Sequence, residues 1–277
     1  MRATSTRFLI LCLGLAALLP LTSCSSDKDI KAQKEESVEV LYKRAEQAMK
    51  DKKYEQATKD FDEVERQHPY SQYATQAQLQ SAYASYLGQH YDEALVALDR
   101  FIELHPGNDD VDYAYYLKAL CYYEQISDVK RDQENTHEAL DALDAVIKRF
   151  PDSKYAREAS LKRDLTMDHL AGKEMEVGRY YENRGYINAA INRYREVVKD
   201  YQTTTHAAEA LYRLVECYMI LGLPDEAVRV AAVLGHNYPG SKWYEKAYAL
   251  MDAKQRTKIM DDRSWVDRTV ESLLRPD

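Results

Sequence analysis

Cysteine, glycine, proline and phenylalanine are all scarce in these 277 residues, and each scarcity closes off a class of protein. Of the four cysteines, Cys12 and Cys24 lie near the start, leaving Cys121 and Cys217 for the body of the chain. Neither has a second Cys or a His at metal-ligand spacing, which argues against a disulfide scaffold, a zinc module or a CxxC redox pair. Both sit inside helical apolar patterns and read as small buried residues. No glycine-rich phosphate loop, HExxH or Ser/His/Asp order appears, and the seven His are scattered. His68 and His105 stand before Pro at helix ends, where each is expected to cap carbonyls. The longest apolar run, Phe8 to Leu19, has twelve residues; a spanning helix needs about 20. Basic excess is missing too: Lys and Arg number 38 against 46 Asp and Glu, a net charge of −8. That balance argues against a nucleic-acid partner, which calls for a basic stripe, and against a basic helix lying on lipid headgroups. The acidic residues fall on solvated helix faces, so neither a metal nor another cofactor is expected.

Arg2 and Arg7 followed by the apolar run have the form of a secretory signal. Leu21-Thr22-Ser23-Cys24 resembles the lipobox of bacterial lipoproteins, which implies removal of residues 1–23 and acylation of Cys24. The same resemblance reads Ser25, in place of the Asp that favours inner-membrane retention, as directing the chain to the outer membrane, facing the periplasm. Each buried acyl methylene adds about 0.8 kcal/mol, so a multiply acylated Cys is a stable anchor. The first 23 residues carry two Arg and no acid; without them 36 basic groups face 46 acidic ones, a net charge of −10. Residues 24–37 are polar and without periodicity, a lipidated flexible tether.

The remainder repeats. Aligning the helix-ending positions Pro69, Pro106, Pro151, Gln202 and Pro239 puts an Ala twelve residues earlier each time: Ala57, Ala94, Ala139, Ala190 and Ala227. Eight residues earlier stand Phe61, Leu98, Leu143, Tyr194 and Ala231, and five earlier Val64, Phe101, Val146, Val197 and Leu234. This spacing resembles the second helix of a tetratricopeptide repeat, where a small Ala permits close packing and Pro ends the helix. In the first helices the matching small positions are Ala45, Ala82, Ala119, Gly178 and Val215, with Tyr122, Tyr181 and Tyr218 three residues on. Gly88, Gly185 and Gly222 are expected in the turns, at positive φ. The periods are 37, 45, 51 and 37 residues, against about 34 for the family. The excess in repeat three falls in a polar loop over 127–135. That in repeat four predicts one very long helix, or two bent at Gly172. The expected architecture is all-α: a right-handed superhelical array of five helix pairs over 38–261, with a C-terminal capping helix, then a helix or tail over 262–277.

In such arrays the first helices line the concave side. The positions alternating with the core are Gln76, Leu79, Tyr83 and Tyr86 in repeat two, and Tyr113, Tyr116, Leu120 and Tyr123 in repeat three. With 23 Tyr against 4 Phe, rings with a wet hydroxyl are favoured over plain core rings. Tyr83, Tyr86, Tyr113 and Tyr116 are therefore the candidate groove for an extended peptide; filling wide gaps between lengthened repeats is the other use for such rings.

Several stretches go beyond generic repeat residues: His68-Pro69-Tyr70, Tyr83-Ala84-Ser85-Tyr86, Asp99-Arg100-Phe101-Ile102, Asp112-Tyr113, Arg131-Asp132, and Tyr180-Tyr181-Glu182-Asn183-Arg184-Gly185 with Asn192-Arg193. With the lipobox and length, they make the chain resemble the BamD family of outer-membrane assembly lipoproteins, departing from it at Gln202 and in a longer C-terminal tail. The resemblance implies a non-enzymatic part in inserting β-barrel proteins. Unfolded outer-membrane proteins would bind the N-terminal repeats, and a POTRA-containing, BamA-like barrel subunit the C-terminal ones, beside other assembly lipoproteins. Arg184 and Arg193 are the docking candidates, although Arg193 also has Glu neighbours to bridge. A periplasmic scaffold for cell division or envelope linkage, or an adaptor for a peptidoglycan enzyme, shares the repeats.

Overall fold

A small side chain at one place in each helix pair lets two helices lie close together, and the fold is that contact made again and again. The computed structural model describes residues 35–261. Cys24, the expected signal over 1–23, most of the tether and residues 262–277 lie outside the described residues. Five pairs follow in order: α1 (Val38–Lys50) with α2 (Tyr54–Gln67), α3 (Gln72–Leu87) with α4 (Tyr91–Leu104), α5 (Val111–Tyr123) with α6 (Glu134–Arg149), α7 (Ala156–Asn183) with α8 (Ile187–Asp200), and α9 (Ala207–Ile220) with α10 (Pro224–Asn237). Two shorter helices, α11 (Lys242–Ala249) and α12 (Ala253–Asp261), close the array, α11 against α9 and α10. There is no strand among the described residues. Each helix packs chiefly on its neighbours in sequence, while the first helices of successive pairs (α1, α3, α5, α7, α9) also touch.

The repeat positions form the core. Ala57, Ala94, Ala139, Ala190 and Ala227 are fully buried, and the large residues four and seven positions on, Phe61 and Val64 through Ala231 and Leu234, are at most 1% exposed. Burying a large apolar side chain is worth about 1.5–3 kcal/mol, so each pair contributes through its own few contacts and those with its neighbours. Cys121 and Cys217 are free thiols within this interior.

The turns correct one expectation. Gly185 and Gly222 do take positive φ, +77° and +70°, but Gly88 has φ −77° and the left-handed residue is its neighbour Gln89, at 62°. Lys52, at 59°, holds the same place in repeat one. In all four turns this residue stands five before the packing Ala. The position is fixed by register, and a glycine there is a convenience; Lys52 and Gln89 accept the cost of roughly 1–2 kcal/mol for a left-handed side chain.

The helix ends repeat as closely. His68, His105, Phe150, Tyr201 and Tyr238 all leave their helices near φ −130° with ψ between 40° and 57°. Pro following forbids helical geometry at four of them. Tyr201, which precedes Gln202, adopts it without that constraint, and the Gln202 carbonyl accepts a 2.9 Å bond from the Tyr238 hydroxyl. His105 does not cap carbonyls of its own helix; its Nε2 meets the Gln78 side-chain oxygen at 2.8 Å.

Repeat four has one unbroken helix, α7, of 28 residues. Gly172 does not interrupt it and makes room for a neighbour: a Cβ there would lie 3.3 Å from His206 Nε2. Asp168 ties the same stretch to the next repeat, accepting from the Thr205 amide at 2.8 Å and hydroxyl at 2.7 Å.

A very close approach lies between α7 and α8. Tyr194 is 0% exposed, and a Cβ built on Gly178 would sit 2.4 Å from its Cε1. Repeats one to three pair Ala with Phe or Leu at these two places; here the larger ring demands a glycine. The Tyr194 hydroxyl donates to Glu182 Oε2 at 2.6 Å, so the buried oxygen keeps a partner. In an exposed helix Gly→Ala stabilises by about 1 kcal/mol. Here Gly178→Ala is expected to lower stability by about 1–3 kcal/mol through overpacking. Urea unfolding of Gly178→Ala, Tyr194→Leu and the double variant checks this; the double variant should be more stable than the sum of the two single losses, and an unchanged midpoint for Gly178→Ala would refute the clash.

Candidate functional site

Tyrosines from successive first helices run into one aromatic ladder. Tyr86 and Tyr83 on α3 are 6.4 Å apart between centroids, Tyr83 meets Tyr113 of α5 edge-on at 6.2 Å, and Tyr113 and Tyr116 both reach Tyr155 ahead of α7, at 5.3 and 5.0 Å. Offset and edge-on ring pairs of this kind add about 0.5–1.5 kcal/mol beyond the area they bury. Tyr83, Tyr86 and Tyr113 are half-buried, with part of each ring in solvent. Tyr116 is not in the open groove: at 4% exposure its ring stacks on Tyr155 and packs beside Leu143 and Val146. Leu79, 5% exposed, is core as well. Both positions face inward because neighbouring pairs close over them.

Burial also sets the phenol chemistry. It pushes the Tyr86 hydroxyl up to about 12, with the Glu124 carboxylate adding to the rise. Burial raises Tyr113, and burial followed by a bond to Glu158 raises Tyr116 further above the ordinary tyrosine value.

The two candidate arginines lie in the fourth repeat but in different settings. Arg184 is exposed at the end of α7, its guanidinium carbon 4.4 Å from the centre of the Tyr180 ring. Arg193 on α8 bridges Glu174 of α7 at 3.0 Å and Glu196 at 3.5 Å. Its charge is therefore satisfied within the chain. Both contacts use Nη1, however, leaving the Nε–Nη2 edge of a 40% exposed side chain, the edge that takes a carboxylate in bidentate fashion.

Two surfaces were not evident from the residue pattern. Tyr180, Tyr186, Ile220, Leu221 and Leu223 are all exposed around the turns of repeats four and five; Tyr186 and Leu223 are 37 residues apart, so the period itself marks them. A groove of about 930 Å³ lies between α2 and α4 over α3, with Asp62, Glu65, Val96 and Arg100 on its walls. It involves second-helix faces, away from the first-helix stripe that the repeat spacing marks. Among the described residues no group of three or more His, Cys, Asp or Glu could hold a metal ion, and no helix is long and apolar enough to cross a membrane.

A packed series of Ala-centred helix pairs, with an aromatic ladder on its first helices, defines a tetratricopeptide-type helical array. A family model described as YfiO, outer membrane lipoprotein, matches residues 34–234. Relatives named outer membrane protein assembly factor BamD are similar over most of their length. The one from Caulobacter vibrioides is 49% identical over 79% of this chain and 72% of its own. That from Rickettsia prowazekii is 48% identical over 91% and 98%, and that from Neisseria meningitidis serogroup A 36% identical over 85% and 92%. The chain belongs to the BamD (YfiO) family. Among solved structures, a TPR2AB-domain:pHSP90 complex of yeast Sti1 overlaps 85% of this chain and 90% of that one at TM-score 0.41 and 12% identity. The repeat architecture rests on the packing described above, not on that overlap.

The buried tyrosines predict alkaline instability. Their raised values mean that the fold holds protons which the unfolded chain, with Tyr near 10, gives up. Stability is complete below about pH 10 and is lost as pH climbs through the raised values. Melting temperature should fall from about pH 10 upward, in step with the tyrosinate absorbance of unfolding; a flat melting profile while most tyrosines ionise would show that the rings are open to water.

Proposed function

We propose that this chain is a non-enzymatic component of the machinery that assembles and inserts β-barrel proteins in the outer membrane, holding an unfolded client and the barrel-forming subunit at once. The observation that carries the reading is membership of the BamD family across most of the chain, in relatives named as outer membrane protein assembly factors. The anchor in this reading is acylated Cys24, which holds the array on the periplasmic face of the outer membrane beside other assembly lipoproteins. Two separate surfaces support the two tasks. Tyr83, Tyr86 and Tyr113 offer half-buried rings with polar tips to an extended, aromatic-containing client strand, with Tyr116 fixing the ladder from behind. The Arg184 and Arg193 surface, on the next repeat, offers guanidinium groups to carboxylates of a POTRA domain.

Mild detergent extraction followed by co-purification tests the reading as a whole. Recovery of a large outer-membrane barrel with POTRA domains is expected, and recovery with a wall hydrolase or division protein alone would overturn it. For the docking face, Arg193→Gln is the cleaner variant, because Glu at 193 would add a third carboxylate to Glu174 and Glu196. Loss of one charged hydrogen-bonding partner at an interface costs about 2–5 kcal/mol. At least a tenfold weaker hold on the barrel subunit is therefore expected, with unchanged helical content by circular dichroism. Full binding by Arg193→Gln would remove Arg193 from the interface.

A further inference from the structure

The residue one turn after the packing Ala of each second helix can be compared across all the pairs. Repeats two, three and five place Ala97, Ala142 and Val230 there, whereas repeat one has Asp60 and repeat four has Arg193. A small or branched apolar residue therefore satisfies the stack at this register, and the charges answer another need. In repeat one the second helix supplies a covered carboxylate, Asp60, 4% exposed, which accepts from Arg44 of α1 at 3.1 Å. In repeat four the roles are exchanged. The covered carboxylate is Glu174 on the first helix, its side chain 17% exposed, and the more open arginine stands on the second.

The contact is one-sided. Glu174 Oε2 accepts from Arg193 Nη1 at 3.0 Å, and Glu196 Oε2, one turn along α8, accepts from the same nitrogen at 3.5 Å. Because Glu174 belongs to α7, which packs on α8, the guanidinium is fixed to the neighbouring helix as well as to its own. Lys173, adjacent on α7, gives its ammonium to the Arg131 carbonyl at 3.0 Å, which leaves the Glu174 carboxylate to Arg193. A guanidinium is a rigid planar fork, so holding Nη1 also sets the direction of the Nε–Nη2 edge. Without an anchor, a partly exposed arginine samples many rotamers, and ordering it is part of what association costs.

We propose that Glu174 is a positioning residue, holding Arg193 by Nη1 so that its Nε–Nη2 edge takes a carboxylate of the protein partner side-on, a role that rests on the docking reading above. Positioning and simple charge predict opposite signs here. Glu174 repels an incoming carboxylate and competes with it for the guanidinium, so Coulomb's law alone makes its removal favourable to binding. If it aims the fork, its removal is unfavourable. The same geometry separates Arg from Lys at 193, because an ammonium keeps the charge but has no second edge to present.

The test is a double-mutant cycle on the full lipidated chain, read as the Kd for the purified POTRA-bearing barrel subunit at one salt concentration. Glu174→Ala is expected to bind at least about tenfold more weakly than the parent chain, as the loss of a preordered charged contact produces. Glu174→Gln should stay close to the parent, since its amide oxygen still accepts from Nη1. In an Arg193→Gln background, Glu174→Ala should bring no further loss, and Arg193→Lys should bind as weakly as Arg193→Gln. Equal or tighter binding by Glu174→Ala would make Glu174 a competing charge and overturn the proposal. Equal losses in Glu174→Ala and Glu174→Gln would also overturn it. So would an undiminished loss from Glu174→Ala in the Arg193→Gln background, which would trace the effect to the fold. Failure of the parent chain to bind the barrel subunit, or full binding by Arg193→Gln, would remove the docking reading and the role of Glu174 with it.

Discussion

Everything in this molecule depends on how closely two helices of one pair can approach. Where the first helix carries Ala45, Ala82 or Ala119, the facing ring or branched chain is Phe61, Leu98 or Leu143, and where it carries Gly178 the facing residue is Tyr194. In these four repeats the two sizes trade off: Ala lies against Phe or Leu, and Gly against the larger Tyr. Length varies only where the stack allows it: in the loop before α6 and in the doubled span of α7. The Tyr194 hydroxyl then brings Glu182 inward, and Arg213, 3.7 Å from Glu182, joins Glu209 and Glu216 around it. A packing choice at one residue thus sets the polar network of the neighbouring repeat.

The core was legible because its signal is periodic. Fifteen register positions in the second helices could be read from spacing, and all are buried. Details depending on a single backbone angle were not. Gly88 looked like the turn residue, yet the register places the left-handed conformation at Gln89, where composition offers no hint. The exposed surface was read less well than the core. Spacing put Tyr116 on the same stripe as Tyr113, but only the packing of α6 and Tyr155 decides which ring is covered. Arg193 showed a similar limit: its Glu neighbour at 196 is visible in sequence, whereas Glu174 is 19 residues away and arrives through the fold.

The proposed function assigns two kinds of binding surface to this arrangement. In the proposed reading, the tyrosine ladder, apolar with half-buried phenols, adapts to client chains that share only amphipathic character. In the same reading, the Arg193 region, with its open guanidinium edge, suits a defined partner with fixed carboxylates. In the proposed bridge, the loose specificity lies with the client and the strict specificity with the insertion machine. Both surfaces belong to one continuous stack, joined through α5, α6 and α7.

The central claim is that one chain holds client and barrel subunit together. The most direct measurement is the mass of the complex, by light scattering during size-exclusion chromatography, when this chain is mixed with the POTRA-bearing subunit and a peptide from the final strand of an outer-membrane barrel. A ternary complex with one copy of each component is the predicted result. Displacement of the barrel subunit by the peptide, or of the peptide by the subunit, would place both partners on one surface and contradict the account.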